Sequence, residues 1–292
     1  MTFLTTVPVQ SPVTNHISYL NRFIDHQLVH LDRIGQFIQS CEQTLTLKTH
    51  NTHLAQIQEL YRRLDHEFKL AKEQSNQMSF EELMGDLIHF TAVSSEGLFS
   101  ITGTFIQTCE FVQNQTQFVE HVETFYRLNC LNQAIFLAEQ EPYVTQQTAV
   151  SLLHCLQKPN TINRPICIQI SGTGARQSVI GHEAIIQTVF NLVFWVLAGK
   201  TPNNHVWVDS NLDDTAVYLQ IWNDSLTIKP ERLDAIKEVG RFTSIYQVDD
   251  FNGILLPLTA AQKLIQKCRG DLFITYSNPT VIEIVLPLRK IS

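Results

Sequence analysis

The sequence predicts a chain of two parts: an all-helical first half, then an α/β sandwich in which one face of a sheet is covered. Three observations predict it. Apolar residues recur at helical spacing from Asn15 to Glu139, the pattern breaks at Glu141-Pro142, and short alternating runs then follow helical runs in mixed order. The expected divisions are a tail over 1–13, a helical hairpin over 14–78, a second hairpin over 79–141 and the sandwich over 142–292.

Composition narrows the function classes. With 292 residues and 44% hydrophobic content the chain can bury at least one large core. Lys and Arg number 21 against 28 Asp and Glu, interspersed, which argues against nucleic acid and a polybasic membrane patch. Six cysteines stand far apart without a C-x-x-C pair or a secretory leader, so buried reduced thiols and a cytoplasmic location are expected. The most apolar run, 185–197, is interrupted by Gln187, Thr188 and Asn191 and is shorter than the ~20 residues of a membrane span. Glycine, the material of phosphate-cradling loops, numbers only 11.

The elements follow in order. Residues 1–13 contain two prolines and no periodicity. Ile17, Leu20, Ile24, Leu31, Ile34, Ile38, Cys41 and Leu45 form a heptad stripe interrupted by Gln27, and Leu54, Ile57, Tyr61, Leu64, Phe68 and Ala71 form a second, which makes an antiparallel hairpin. Ser79 and Glu82 have capping-box spacing and open a third helix through Leu83, Leu87, Phe90, Leu98 and Phe105, with Gly97 and Gly103 as weak points or sites of close packing. Its partner spans about 116–139.

In the second half a helix is expected over 145–157, strands over 165–170, 205–209 and 216–222, and a helix opening at Lys229-Pro230. A helix over 258–267 and a closing hairpin over 271–286 complete the chain. Residues 181–200 form a helix that is apolar nearly all round, with Gln187 and Asn191 on one side. Buried amides need partners, since an unpaired one costs roughly 1–3 kcal/mol.

From Val144 to Leu288, about half of the chain, the order of elements resembles the ATP-binding domain of sensor histidine kinases, of the GHKL class. Val179-Ile-Gly-His182 stands where the family has a strand end followed by Gly-Asp, and 187–195 resembles its asparagine box. Residues 236–242 resemble the aromatic segment before the nucleotide lid, and Leu286-Pro-Leu288 the closing strand. The hairpin over 81–139 occupies the place of the dimerisation and phosphoacceptor hairpin. Aligning 94–101 with the histidine box puts Ser95 where the phosphorylated histidine would be.

The departures concern the nucleotide. The box's second asparagine is Trp195, whose indole has no acceptor for magnesium. The adenine-reading D-x-G-x-G falls on Asn223, Ser225 and Thr227, which lacks both glycines. The second glycine box falls on 255–258, where Pro257 removes a donor, and only Gly253 survives before it. The lid between Phe242 and Gly253 is short. The resemblance therefore implies a degenerate nucleotide site at Gln187, Asn191, Trp195, Asn223, Ser225, Thr227, Gly253 and Pro257, with no cofactor and no ATP hydrolysis.

Other candidates are histidines. His26 and His30, four apart and off the heptad seam, are read as exposed and as candidate phosphoacceptors or simply a solvated face; His89 on the third helix is a further candidate. A metal shared by His26, His30, His50 and His53 is excluded, because the pairs lie ~30 Å apart at 1.5 Å per helical residue. Trp195, Trp207 and Trp222 are expected to fill the emptied pocket and the core, and Asp249-Asp250 to form a solvated turn. No G-x-S-x-G supports hydrolase chemistry.

Three functions compete. The first is a non-catalytic, pseudokinase-like adaptor in two-component-type signalling, a homodimer through its helical hairpins that binds a response regulator receiver domain or an active sensor kinase. The second is a histidine phosphotransferase relaying phosphate between receiver domains through an exposed helix histidine. The third is a cytoplasmic regulator sensing a ligand in the emptied pocket.

Overall fold

The heptad stripes become long helices. A computed structural model of the chain describes residues 12–44, 48–109, 112, 115–139, 148–156, 166–199, 204–231, 233, 234, 236, 245–247, 250 and 253–288. Four helices, α1 (Pro12–Thr44), α2 (Lys48–Gln74), α3 (Phe80–Thr108) and α4 (Thr116–Glu139), make the first half. Most of the expected tail, 1–11, lies outside the described residues. The capping box opens α3: Glu82 N–H donates to Ser79 Oγ at 3.3 Å and Ser79 N–H to Glu82 Oε2 at 3.4 Å. Two donors that a helix start would leave orphaned are thereby satisfied.

The two hairpins pack on each other as one bundle, in which each helix lies beside the next and α1 closes against α4. Their seams are what they bury. Phe23 of α1 meets Phe68 of α2 at 6.0 Å between ring centroids, and Phe68 meets Phe125 of α4 at 5.7 Å. Phe37 stacks on Phe118 at 3.7 Å. Each such ring withdrawn from water contributes about 1.5–3 kcal/mol. The polar interruption of the first stripe is also explained: buried Gln27 donates Nε2–H to the Phe125 carbonyl at 3.2 Å, so a slip of α1 along α4 would strand an amide.

The second half departs from expectation at its start. In place of a helix over 145–157 there is β1 (Thr148–Ser151), then a single helical turn, α5 (Leu152–Leu156). Residues 145–147 and 157 lie outside the described residues. β1 pairs antiparallel with β3 (Ser178–Gly181), and only Val150 of its four residues is buried. With one apolar side chain to bury, pairing with another strand outweighs local helix propensity.

The main sheet has the order β2-β4-β5-β7-β6, from β2 (Cys167–Gly172), β4 (His205–Leu212), β5 (Ala216–Trp222), β6 (Asp271–Thr275) and β7 (Val281–Pro287). Only β2 and β4 run parallel. α6 (Glu183–Gly199) and α7 (Leu255–Lys267) pack together on one face, over Val206, Val208, Leu219, Ile221, Ile282 and Ile284. α7 begins three residues earlier than expected, with Pro257 in its first turn, where no intrahelical donor is needed. Of the helix expected at Lys229-Pro230, residues 230, 231, 233, 234 and 236 are helical. Most of the aromatic segment and lid, 237–244, 248, 249, 251 and 252, lies outside the described residues. Among the described residues no helix is long and apolar enough to cross a membrane.

The halves are joined by side chains. Tyr246, in the 3-10 turn Ile245–Gln247, sits between His16, Tyr19 and Phe80 at centroid distances of 4.7, 5.0 and 4.9 Å, and its carbonyl accepts from Arg22 Nη2 at 3.3 Å. At the end of α4, Glu139 Oε1 accepts from Lys263 Nζ of α7 at 2.6 Å and from the Ile245 N–H at 3.1 Å.

Candidate functional site: a helix face closed by the bundle

Gln187, Asn191 and Trp195 stand four apart on α6 and so share one face. That face looks at α4. Gln187 donates Nε2–H to the Cys155 carbonyl at 3.0 Å and, more weakly, to Asn191 Oδ1 at 3.5 Å. Trp195 is 8% exposed, its ring edge-on to Tyr126 of α4 at 6.5 Å, with the Arg127 guanidinium 5.9 Å from its centroid. Its Nε1–H is buried without a partner. The amide pair therefore serves the junction with α5, and the tryptophan serves the junction with the bundle.

Between α4 and this face remains a cavity of about 550 Å³, lined by Gln187, Asn191 and Trp195 together with Tyr126, Cys130 and Gln133 of α4, and by Glu96 of α3. Among the described residues no lysine or arginine lines it. A triphosphate with its metal needs cations or a nest of free backbone N–H groups, and this cavity presents amides, rings, a thiol and a carboxylate instead. Burial pushes the Cys130 thiol up to about 11, which leaves it an unreactive neutral group.

The remaining expected site residues lie elsewhere. Asn223 is fully buried at the end of β5, where Nδ2–H donates to the His205 carbonyl at 2.9 Å and Oδ1 accepts the Ser225 N–H at 2.9 Å. It builds a turn. Thr227 bonds to Asn278 Oδ1 at 2.9 Å, tying the same loop to the β6–β7 hairpin. None of Asn223, Ser225 and Thr227 lines the cavity at α6. Pro257 is buried in the first turn of α7, and at Gly253 a Cβ would overlap the Asp250 carboxylate. Asp250, expected in a solvated turn, accepts the Leu255 N–H at 2.8 Å and so caps α7; Asp249 lies outside the described residues. The glycine leaves room for this capping turn.

The histidines also differ from expectation. His26 and His30 are half-buried rather than exposed, because α4 lies over their side of α1. The Nδ1 atoms of His30 and His121 of α4 are 3.0 Å apart, one donating and the other accepting. Burial, then the neighbouring His121 and His26, lowers the His30 pKa to about 4. His89 alone of the three candidates is exposed, on the outer side of α3. Ser95 is buried and donates to the Ala92 carbonyl at 3.1 Å. Trp207 and Trp222 fill neither pocket nor core: their strand neighbours Val206, Val208 and Ile221 point at the helices, which turns both indoles to the opposite face of the sheet. None of the six cysteines is paired in a disulfide; Cys167 is exposed and Cys130 half-buried, against the expectation that all are buried.

The sequence places helix α4 correctly over about 116–139 but not its part in this site: Tyr126, Arg127, Cys130, Gln133 and Glu139 read there only as parts of a hairpin. The signal was legible: between Arg127 and Glu139 there is no charged residue, so this stretch had no face suited to water alone.

No protein-family model matches the chain, and no curated protein matches it. Solved structures do. The catalytic domain of the histidine kinase ThkA, nucleotide-free, aligns at 16% identity over 49% of this chain and 97% of that one, with TM-score 0.37. The Acinetobacter baumannii histidine kinase AdeS aligns at 12% over 67% and 96%, with TM-score 0.41. Full-length ShkA in complex with AMPPNP aligns at 14% over 71% of this chain and 45% of that one, with TM-score 0.43. The likeness is one of fold, and in fold the chain is similar to histidine kinase catalytic domains.

Proposed function

We propose that the chain is a non-catalytic, histidine kinase-like adaptor of two-component-type signalling, which binds a response regulator receiver domain or an active sensor kinase. One observation supports this reading: the α6 face that resembles the asparagine box looks at α4, with Trp195 buried in the seam and, among the described residues, no lysine or arginine in the cavity that remains. The fold is kept while each part of the nucleotide site has a packing role, in Trp195, Asn223 and Pro257. Function then resides on the surface. Isothermal titration with magnesium-ATP should show no binding, while titration with receiver domains and kinase catalytic domains should find a saturable partner. Magnesium-dependent micromolar ATP binding would overturn the reading.

Homodimerisation belongs to the same proposal. Because the seams of the two hairpins face each other within one chain, the proposed dimer would use the outer side of α3, where Phe90 and Val93 are 51% and 78% exposed.

A second reading, relay of phosphate between receiver domains, is favoured by the exposure of His89 in the middle of α3. Incubation with a phosphorylated receiver should then leave acid-labile label on the chain, abolished by His89→Gln. Label that survives this substitution removes His89 from the scheme.

A further inference from the structure

The face of the main sheet turned away from α6 and α7 carries an ordered pattern. The register aligns Gln169, Trp207, Trp222, Val281 and Thr275 in one row across all five strands. The next row is Ser171, Asp209, Gln220, Glu283 and Phe273, and the third contains Asn211, Tyr218, Val285 and Asp271. Among the described residues no helix covers this face. Phe273 is 49% exposed, and Trp207, Trp222 and Tyr218 are half-buried.

The two indoles are stacked, with centroids 6.4 Å apart and planes 16° from parallel. Both N–H groups are tied to one carboxylate: Trp207 Nε1 donates to Asp224 Oδ2 at 2.9 Å and Trp222 Nε1 to Asp224 Oδ1 at 3.1 Å. Their orientation is thus fixed before any partner arrives, which lowers the entropy cost of using them. Among the strand residues the charge is of one sign. None of the five strands contains a lysine or an arginine, while Asp209, Asp271 and Glu283 lie on this face. Asp209 is held by Ser171 Oγ at 2.7 Å, and Glu283 by Gln220 Nε2 at 3.2 Å, so neutral donors orient them and leave their charge uncompensated among the described residues. Asp213, at one end of the face, is kept well below the usual carboxylate range by hydrogen bonds from Thr215, Tyr218 and Ala216.

Such a combination selects its occupant. Nucleic acid is repelled by the carboxylates, and a purely apolar helix would bury them unpaired. A guanidinium satisfies both halves of the pattern, because its plane stacks on an indole while its edge pairs with a carboxylate. We infer that this face of the main sheet, uncovered among the described residues, is a docking surface for an arginine-bearing segment of a partner protein. With strands about 4.8 Å apart, the five span about 19 Å, enough for a short extended segment or two helical turns. The inference stands on this face alone and is independent of the state of the α6 site.

The test uses the full chain and a fluorescently labelled nine-residue peptide alternating arginine and alanine, with its lysine counterpart for comparison, read by anisotropy. Saturable binding is expected, at least about fivefold tighter for arginine than for lysine because only the guanidinium stacks. Glu283→Lys and Gln169→Lys, each checked for an unchanged thermal melt, should weaken it about tenfold. Glu59→Lys, the same charge change as Glu283→Lys and larger than that of Gln169→Lys, lies on exposed α2 and should leave it within about twofold. Equal loss in all three variants means attraction to net charge only and overturns the inference, as do equal affinities for the two peptides or an absence of saturation. Sedimentation in which Glu283→Lys dissolves a self-association of the chain would make the occupant a second copy and also overturn it.

Discussion

The Arg127 guanidinium faces the Trp195 ring from 5.9 Å, and this contact joins the bundle to the helix that in the resembling family would hold nucleotide. Arg127 also pairs with Glu123 Oε2 at 3.7 Å, so its charge is engaged within its own chain.

The first prediction follows from the orphaned Trp195 Nε1–H. Trp195→Phe loses ring volume but removes an unpaired buried donor, and its stability in urea should stay within about 1 kcal/mol of the parent chain. Trp195→Asn, which introduces the residue of the asparagine box that this helix resembles, should cost about 3 kcal/mol and still show no magnesium-ATP binding in titration. Binding by that variant would mean that the seam opens.

The Glu139–Lys263 pair should couple the halves. Both side chains are about four-fifths buried, and Glu139 also accepts the Ile245 N–H. A double-mutant cycle with Glu139→Gln and Lys263→Met should give about 1–2 kcal/mol of coupling, against near zero for the exposed Arg63–Glu59 pair.

Asn223→Asp, the change toward the family's adenine-reading aspartate, should destabilise by about 1–3 kcal/mol. A carboxylate cannot donate to the His205 carbonyl and would be buried against it, although the bond from Ser225 would survive. Thermal unfolding checks this, and an unchanged midpoint would show that the turn does not depend on the donor.

Acid should weaken the bundle through His30. Its folded pKa, about 4, lies below the ordinary 6.5, so between these values the unfolded chain holds a proton that the folded chain refuses. Stability is therefore undiminished above pH 6.5 and falls progressively as pH drops toward 4. His121, Arg33, Glu120 and His26 are the groups bearing on this pair. His30→Phe should flatten the decline between pH 6.5 and 5 in urea midpoints; an equal slope in both chains would assign it to other groups.

On the outer side of α3, Phe90→Lys with Val93→Lys should turn a dimer into a monomer in sedimentation while leaving the melting temperature within a few degrees, because both side chains already face water. A monomeric parent chain would remove the dimer from the proposal.

Helix existence was the most legible feature, because α1 to α4 write their apolar stripes at helical spacing and Ser79-Glu82 spells its own cap. The strands were legible by alternation, and the same alternation would have placed Trp207 and Trp222 outside had it been counted against Val206 and Ile221. β1 was hidden because four residues with one buried side chain give no period. In the site, the losses at Trp195, Asn223 and Pro257 were visible as residue types, but their roles in a seam, a turn and a helix start depend on neighbours more than fifteen positions away or on local caps. The pairing of His30 with His121 spans 91 positions, and no local pattern could announce it.

That both hairpins of the bundle belong to one polypeptide has a consequence for how the protein responds to dilution. A bundle assembled from two chains melts as its concentration falls, since its stability includes an association term. Here that term is replaced by closure of short connections between helices, whose cost is fixed by chain length. The bundle should therefore stay folded at the lowest copy numbers a cell can hold.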